Sequence, residues 1–116
     1  MEETFAFANN VVGFIVNEEI DKNKMEDILA AIKDRLEVVS PICLYLEDTS
    51  DEGISIPAFL KTLEFHFSHP QDFEKIAVVT NDKLFKKSME LKNHLVLAKV
   101  KTFERKDRLN AMNWVI

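Results

Sequence analysis

Carboxylate and hydroxyl side chains concentrate in one short stretch of the sequence, from Glu47 to Ser55. The stretch contains four carboxylates, and carboxylate oxygens are the ligands that hard cations prefer. Their spacing differs from the calcium-loop pattern Asp-x-Asp-x-Asp-Gly, so we interpret them as part of a solvated loop. A cation-dependent hydrolase that uses this loop is the weakest of our functional hypotheses.

Ser55 is the residue of this stretch that is best placed for covalent modification. It precedes a predicted helix, where a phosphate would meet the positive end of the helix dipole. A serine at this position is also a standard N-cap, which is the simpler interpretation. Thr49 and Ser50 are alternatives, but their acidic neighbours would repel a phosphate. The candidate partner or phosphoacceptor loop therefore comprises Asp48, Thr49, Ser50, Asp51, Gly53 and Ser55.

Other side chains that could do chemistry are isolated in the sequence. His66 and His69 are three residues apart and could share one helix face, but no third metal ligand has a readable spacing and His94 is distant. Cys43 lies in the apolar run 42–46 and is interpreted as a buried thiol in a reducing compartment. No nucleophile elbow, phosphate loop or dinucleotide fingerprint is present. We therefore expect no metal, no cofactor and no enzymatic activity.

Composition narrows the class of protein further. The chain has 116 residues, 47% hydrophobic and 30% charged, which fits a single globular domain over residues 1–116. The net charge of −5 argues against nucleic-acid binding. The apolar runs are too short to span a membrane, and the N-terminus lacks a signal pattern, so we expect a cytoplasmic protein.

Lysines accumulate towards the end of the chain. We interpret them as a solvated helix face whose side-chain stems cover apolar surface, with an anionic partner or membrane headgroups as the alternative. These residues are Lys83, Lys86, Lys87, Lys92, Lys99 and Lys101.

The elements that must position these residues follow from the hydrophobic pattern. Two strands, 4–8 and Val11–Val16, flank the turn signal Asn9-Asn10 and predict a hairpin. Helices are predicted after the caps Asp21 and Ser55, and after Asn81 or Asp82. The run 42–46 is apolar on both sides, which implies that both faces of the sheet are covered. With further strands at 75–80 and 97–103 and a closing helix at 107–115, the sequence predicts an α/β fold. Its architecture would be a single-layer mixed five-stranded sheet, in the element order ββαβαβαβα, flanked by four helices.

Two helices supply a candidate ligand crevice. The spacing of the apolar residues predicts one face made of Ile56, Phe59, Leu60, Leu63 and Phe67 on the second helix, and the third helix contains Leu84, Phe85, Met89 and Leu91. Methionine and phenylalanine suit an adaptable pocket, so a crevice between these helices could be lined by Phe59, Leu63, Phe85 and Met89. A filled core without a cavity is the competing interpretation. Phe65 and Trp114 are candidates for an exposed apolar patch.

Three stretches, taken in order, resemble the SpoIIAA-like branch of the STAS superfamily. They are Asn10-Val-Val-Gly-Phe-Ile-Val-Asn-Glu-Glu-Ile-Asp21, Leu44-Tyr-Leu-Glu-Asp48 and His69-Pro-Gln-Asp-Phe-Glu-Lys-Ile-Ala-Val-Val-Thr-Asn-Asp82. The resemblance implies a small domain that docks or switches rather than catalyses. The best-known STAS domains antagonise anti-sigma factors and are phosphorylated in an Asp-Ser-Ser-Gly motif. That motif is absent from the corresponding loop, residues 49–57.

Two functional hypotheses lead from these observations. The first is a regulatory module that docks to another protein through the loop 48–57 and the second helix. The second is a binding protein for an apolar or lipid-like small ligand, because members of the SpoIIAA-like branch have been likened to lipid-binding domains. The sequence leaves open whether the chain forms a homodimer.

Overall fold

The computed structural model describes the backbone of residues 2–116 and the side chains from residue 8 onward. Five strands, four α-helices and one 3₁₀ turn follow one another along the chain. They are β1 (Glu2–Ala8), β2 (Val11–Val16), α1 (Lys22–Leu36), β3 (Ile42–Asp48), α2 (Ile56–Ser68), β4 (Phe73–Val79), α3 (Lys83–Leu95), β5 (Lys99–Phe103), the 3₁₀ turn Arg105–Asp107 and α4 (Arg108–Val115).

The strands lie side by side in the order in which they occur in the chain, β1-β2-β3-β4-β5. β2 pairs with β3, β3 with β4 and β4 with β5, always in parallel, because a helix carries the chain back between successive strands. β1 has no helical connection. It turns at Asn9 and Asn10 and pairs antiparallel with β2, as the turn signal predicts.

The predicted sheet architecture needs a correction. The α/β unit is an all-parallel sheet of four strands, β2 to β5, with four helices, and it is not a mixed five-stranded layer. β1 runs along the outer edge of this unit as one arm of a hairpin. The side chains of residues 1–7, which include most of the strand predicted at 4–8, lie outside the described part of the structure. Alternation in a sequence indicates a strand but does not say whether that strand belongs to the βαβ framework.

The helices cover the two faces of the sheet unequally. α1, α2 and α3 bury the larger core, which includes Phe14, Ile28 and Phe85. α4 covers the opposite face, where Ala111 and Val115 pack on the second core. Three consecutive crossovers between neighbouring parallel strands, all of one hand, place their helices on one face. Among the described residues, α4 is the helix that covers the other face.

The predicted helix starts are confirmed. Asp21, Ser55 and Asp82 each accept a hydrogen bond from a backbone N–H three residues on, at 2.8, 3.2 and 2.8 Å. These caps satisfy donors that the first helical turn leaves without a partner. Because the caps fix where each helix begins, they also fix the loops at the carboxyl ends of the parallel strands.

Candidate functional site

Asp48 organises the loops at the carboxyl end of the sheet. It is fully buried, and its two oxygens accept hydrogen bonds from four donors. Oδ1 accepts from the backbone N–H and hydroxyl of Ser50, at 3.0 and 2.6 Å. Oδ2 accepts from the N–H of Gly53 at 3.1 Å and from the hydroxyl of Thr80 at 3.0 Å. A buried carboxylate with its lone pairs occupied in this way is a structural centre.

The loop after β3 closes tightly onto the start of α3. Gly53 has a φ of 76°, and a Cβ atom at this position would lie 2.6 Å from Oδ2 of Asp82. Asp82 uses that same oxygen to cap α3. Asp51 also has a positive φ, 61°, a conformation that Asp tolerates better than most residues. Glycine at position 53 is therefore required both by backbone geometry and by close approach.

The acidic residues of the loop do not form a cluster. Glu47 and Asp48 are consecutive strand residues, so their side chains point to opposite faces of the sheet. Glu47 is buried on the α4 side, where the hydroxyl of Tyr45 donates to it at 2.6 Å and Arg108 donates from Nε and Nη2 at 3.1 and 2.9 Å. Burial and the neighbouring Glu47 raise the pKa of Tyr45, and Glu47 raises that of Arg108.

Arg105 holds the outer part of the same loop. Its guanidinium donates to the carbonyl of Thr49 and to a carboxylate oxygen of Asp51, each at 2.7 Å. Ser55 is partly exposed and acts as the cap of α2. The structure thus brings the predicted loop residues together as a braced turn, and phosphorylation of Ser55 stays a prediction.

Ligands in open α/β sheets favour the point where the strand order reverses. The parallel strands β2 to β5 follow one another without such a reversal. The carboxyl end of this sheet therefore lacks a switch-point crevice, and the groove found there, of ≈ 290 Å³, is open and lined by Asn81, Lys83, Lys86 and Glu104.

The predicted apolar face of α2 is partly wrong, and α3 also exposes some of its apolar residues. On α2, the side chains of Ile56, Leu60 and Phe67 are exposed, Ile56 by 75%. On α3, Leu84 and Leu91 are exposed, Leu84 by 78%. The buried positions are polar in part, because the sequence places Thr62, His66 and Lys92 at the contact with the sheet.

The exposed apolar residues of α2 lie on the side of that helix which faces away from α1. The other side, with Lys61, Phe65 and Ser68, borders an open groove of ≈ 350 Å³ that α2 shares with α1. At 100° per residue, Ile56, Leu60 and Phe67 lie next to Phe59 and Leu63, on the side of the buried face of α2 that is opposite the groove.

The exposed apolar residues of α3 face the same gap. Asn93 accepts a hydrogen bond from the N–H of Val100 in β5 at 2.8 Å, which marks the β5 side of α3. The exposed Leu84, Leu91 and Leu95, spaced by seven and four residues, lie on the other side. We call Ile56, Leu60, Phe67, Leu84, Leu91 and Leu95 the α2–α3 apolar surface.

The predicted crevice residues lie beneath this surface, and the crevice is nearly closed. Phe85 and Met89 are buried, as is Leu63, while Phe59 is partly buried. α2 and α3 approach each other less closely than α1 and α2 do. A cavity of ≈ 20 Å³ remains inside, lined by Phe85, Met89 and residues of the sheet and α1. That is room for about one water molecule, so no preformed ligand pocket exists at this position.

Lys92 is the unusual member of the cavity lining. It is 3% exposed, and Nζ donates to the hydroxyl of Thr62 at 3.0 Å. Among the described residues, no carboxylate forms an ion pair with it. Burial lowers the pKa of Lys92 from 10.5 to about 7. The interpretation of this lysine as part of a solvated face is therefore wrong.

The histidines do not form a metal site. His66 is buried against the ring of Phe73, with 4.4 Å between centroids, and its Nε2 has no hydrogen-bond partner among the described residues. Burial, together with the Lys92 charge, lowers the pKa of His66 to about 2. His69 Nδ1 lies 2.9 Å from the carbonyl oxygen of Phe65. No group of three or more metal-binding side chains occurs in the part of the chain that the structure describes.

Phe65 and Trp114 do not form the exposed patch that the sequence suggests. Both are partly buried: Phe65 stacks on His69 with 4.2 Å between ring centroids, and Trp114 packs beside Phe103 at 6.0 Å. The exposed leucines form the apolar surface instead.

The polar residues between α2 and α3 could have been found from their spacing. Phe85, Met89 and Lys92 follow one another at i, i+4 and i+7, which is the pattern of one helix face. Ala58, Thr62 and His66 repeat every four residues in the same way. A search for apolar residues alone passes over these faces because their members include polar side chains.

Taken together, the parallel sheet, the consecutive strand order and the helix layer define a small α/β domain of the SpoIIAA-like class. The SpoIIAA-like family model matches residues 11–116, and the chain belongs to this family, as its resemblance to the SpoIIAA-like branch of the STAS superfamily predicts. A similar fold occurs in an uncharacterised protein of the DUF3478 family from Shewanella loihica PV-4. That structure aligns with a TM-score of 0.72 and 16% sequence identity over 100% of this chain and 93% of the other.

No curated protein matches this chain. Within the described residues, every helix falls short of the length and apolar character that crossing a membrane requires.

Proposed function

We propose that this SpoIIAA-like domain is a non-enzymatic regulatory module that docks to another protein in the cytoplasm. The observation that carries the proposal is the α2–α3 apolar surface, in which six large apolar side chains from two neighbouring helices are exposed. Exposed apolar residues that are grouped in this way are typical of interaction sites, whereas scattered ones are ordinary.

The loop of residues 48–57 would form the edge of the same docking face. Ile56, the first residue of α2, lies at the end of this loop, so the apolar surface continues from the braced turn around Asp51. The hydrogen bonds of Asp48 and Glu47 support a role without catalysis, because their carboxylates are engaged in holding the loop and α4.

Site-specific photocrosslinking tests the docking proposal. A benzoylphenylalanine is placed at Leu60 or at Leu91, in cells that naturally produce the protein. We expect both positions to capture the same partner. Leu109, an exposed leucine on α4 at the opposite face of the sheet, is the matched control and should not capture it. Capture of this chain by itself would indicate a homodimer, and identical adducts from all three positions would contradict the proposal.

Binding of an apolar, lipid-like small ligand is a second candidate. The observation that favours it is the small internal cavity, which α1, α3 and the sheet line together with Thr62 of α2, below the gap between α2 and α3. A ligand would have to part these helices, which approach each other loosely. Native mass spectrometry of the purified protein should then detect a small-molecule adduct that disappears on denaturation, and a bare chain would argue for protein docking.

A further inference from the structure

The gap between α2 and α3 combines an apolar entrance with a buried amine at its base. Among the described residues that line the internal cavity, Lys92 alone carries a charge. Its neighbours there include Met25, Ile28 and Leu44, which offer no countercharge. A lysine buried without a carboxylate loses hydration that nothing in the fold replaces.

The polar groups around Lys92 are few and incompletely satisfied. Thr62 accepts one hydrogen bond from Nζ, which leaves the other two N–H groups of an ammonium without an acceptor among the described residues. One turn further along α2, His66 has an unpartnered Nε2. α1, β3 and β4 present apolar side chains to the cavity. The site therefore has spare hydrogen-bond donors and lacks an anion.

We propose that the α2–α3 gap binds an amphipathic monocarboxylate, whose carboxylate pairs with Lys92 while its apolar tail lies along the α2–α3 apolar surface. The inference rests on the ligand-binding candidate above and gives that ligand its chemical class. One lysine and one hydroxyl match a single negative charge. A phosphate dianion would leave charge uncompensated in a buried site.

The flexible stems of Lys92 and Met89 allow such a ligand to enter. The enclosed space of ≈ 20 Å³ is too small for a carboxylate with its tail, so binding requires α2 and α3 to separate and the lysine to turn towards the entrance. Lysine side chains commonly extend along apolar surface with the charged head at its edge. The exposed Leu60 and Leu91 would then cover the tail.

A fluorescent pair of probes tests the proposal. Dansyl-labelled undecanoate and its methyl ester differ in the negative charge and in one methyl group. We expect the acid to bind more tightly than the ester, and Lys92→Met to weaken binding of the acid by roughly tenfold or more, the usual value of a charged hydrogen bond. Binding of the ester should stay unchanged in this variant. Lys87→Met, an exposed lysine of the same helix, is the matched control.

The wild-type protein provides a second readout that needs no variant. The pKa of Lys92 is lowered to about 7, so its amine is half protonated near that pH and almost wholly neutral at about pH 9. Affinity for the acid should fall over this range, while that for the ester stays constant.

Three results would overturn the monocarboxylate inference, and one of them would also overturn ligand binding itself. Equal binding of acid and ester, or equal binding of the acid by Lys92→Met and wild type, would overturn the monocarboxylate inference and leave ligand binding standing. Binding of neither probe would overturn both.

Discussion

At the scale of single residues, a few buried polar groups have the largest potential effect on the stability of the fold. Lys92, His66, Glu47 and Asp48 are all almost fully buried, yet they are satisfied to different degrees. Asp48 has four donors, whereas Lys92 has one acceptor. A buried group with full hydrogen bonding stabilises a unique arrangement. A buried ionisable group that lacks partners has a shifted pKa, which makes the free energy of unfolding depend on pH.

Stability should depend on pH through Lys92. Its pKa in the folded protein, about 7, lies below the ordinary value of 10.5, so between these values the unfolded chain binds a proton that the folded chain lacks. The free energy of unfolding must therefore rise with pH in this window, by at most about 1.4 kcal/mol per pH unit. Urea denaturation should show this rise for the wild type relative to Lys92→Met from about pH 7 to 9.5. Lys87→Met should follow the wild type, and parallel curves for wild type and Lys92→Met would show that the amine is not buried as described.

Removal of the Asp48 carboxylate should weaken the domain strongly. Asp48→Ala leaves the N–H of Gly53 and the hydroxyl of Thr80 buried without an acceptor, at a cost of about 2–4 kcal/mol. Asp51→Asn is the matched control in the same loop. Because the bond from Arg105 to Asp51 is partly exposed, its loss should cost no more than about 1 kcal/mol. Similar midpoints of unfolding for the two variants would contradict the central role of Asp48.

At the scale of elements, α4 is attached as much by polar contacts as by apolar ones. Arg108 reaches the buried Glu47, and Lys75 donates from β4 to the carbonyl of Trp114 at 3.0 Å. Ala111 and Val115 supply the apolar part of the contact. The helix has eight residues, which is too short to persist without such tertiary contacts.

Loss of the Arg108 contact should loosen α4 selectively. Arg108→Met leaves the carboxylate of Glu47 buried, with only the hydroxyl of Tyr45 donating to it among the described residues. We expect a loss of about 2–3 kcal/mol in global stability, below the full cost of breaking a buried pair because the arginine is partly exposed. Amide hydrogen exchange should accelerate in α4 more than in α1. Lys106→Met, which removes an exposed contact to Glu104, should leave both rates unchanged.

The elements are also where the sequence was most and least informative. Helix starts are predictable because capping residues such as Asp21 and Ser55 form hydrogen bonds with residues close by in the sequence. The inward faces of α2 and α3 were not predictable from apolar residues, because Lys92 and His66 occupy buried positions while Leu60 and Leu91 are exposed. β1 pairs with β2 across the turn at Asn9 and Asn10, and the alternation that predicts this hairpin does not say whether its outer strand belongs to the parallel unit.

At the scale of the whole molecule, the two faces of the sheet have different characters. The face with three helices carries the large core and the α2–α3 apolar surface, while the face with α4 is closed by one short helix. Binding functions therefore belong to the first face in both of our functional proposals. The carboxyl end of the sheet, where many α/β proteins bind ligands, is occupied by loop bracing from Asp48 and Arg105.

Charging the α2–α3 apolar surface should remove exposed apolar area without unfolding the protein. Leu60→Lys combined with Leu91→Lys replaces two exposed side chains, so the melting temperature should stay within a few degrees of the wild-type value. Fluorescence of the apolar dye anilinonaphthalenesulfonate should fall. Leu109→Lys, on the α4 side, adds positive charge at a leucine that is more exposed than Leu60 and Leu91, and it should leave the dye signal nearly unchanged. An unchanged signal in the double variant would mean that these leucines do not form a continuous surface.

Because α4 covers one face of the sheet, the accessibility of a residue beneath it reports how often this helix detaches. Cys43 lies in the core beneath this helix, 2% exposed, and burial raises the pKa of its thiol. Detachment of α4 would expose the sulfur to an alkylating reagent. The rate at which Cys43 is labelled under native conditions therefore counts these openings. During synthesis, the thiol stays accessible until α4 has left the ribosome and packed on the sheet. Labelling of nascent chains would therefore show when α4 covers the second core.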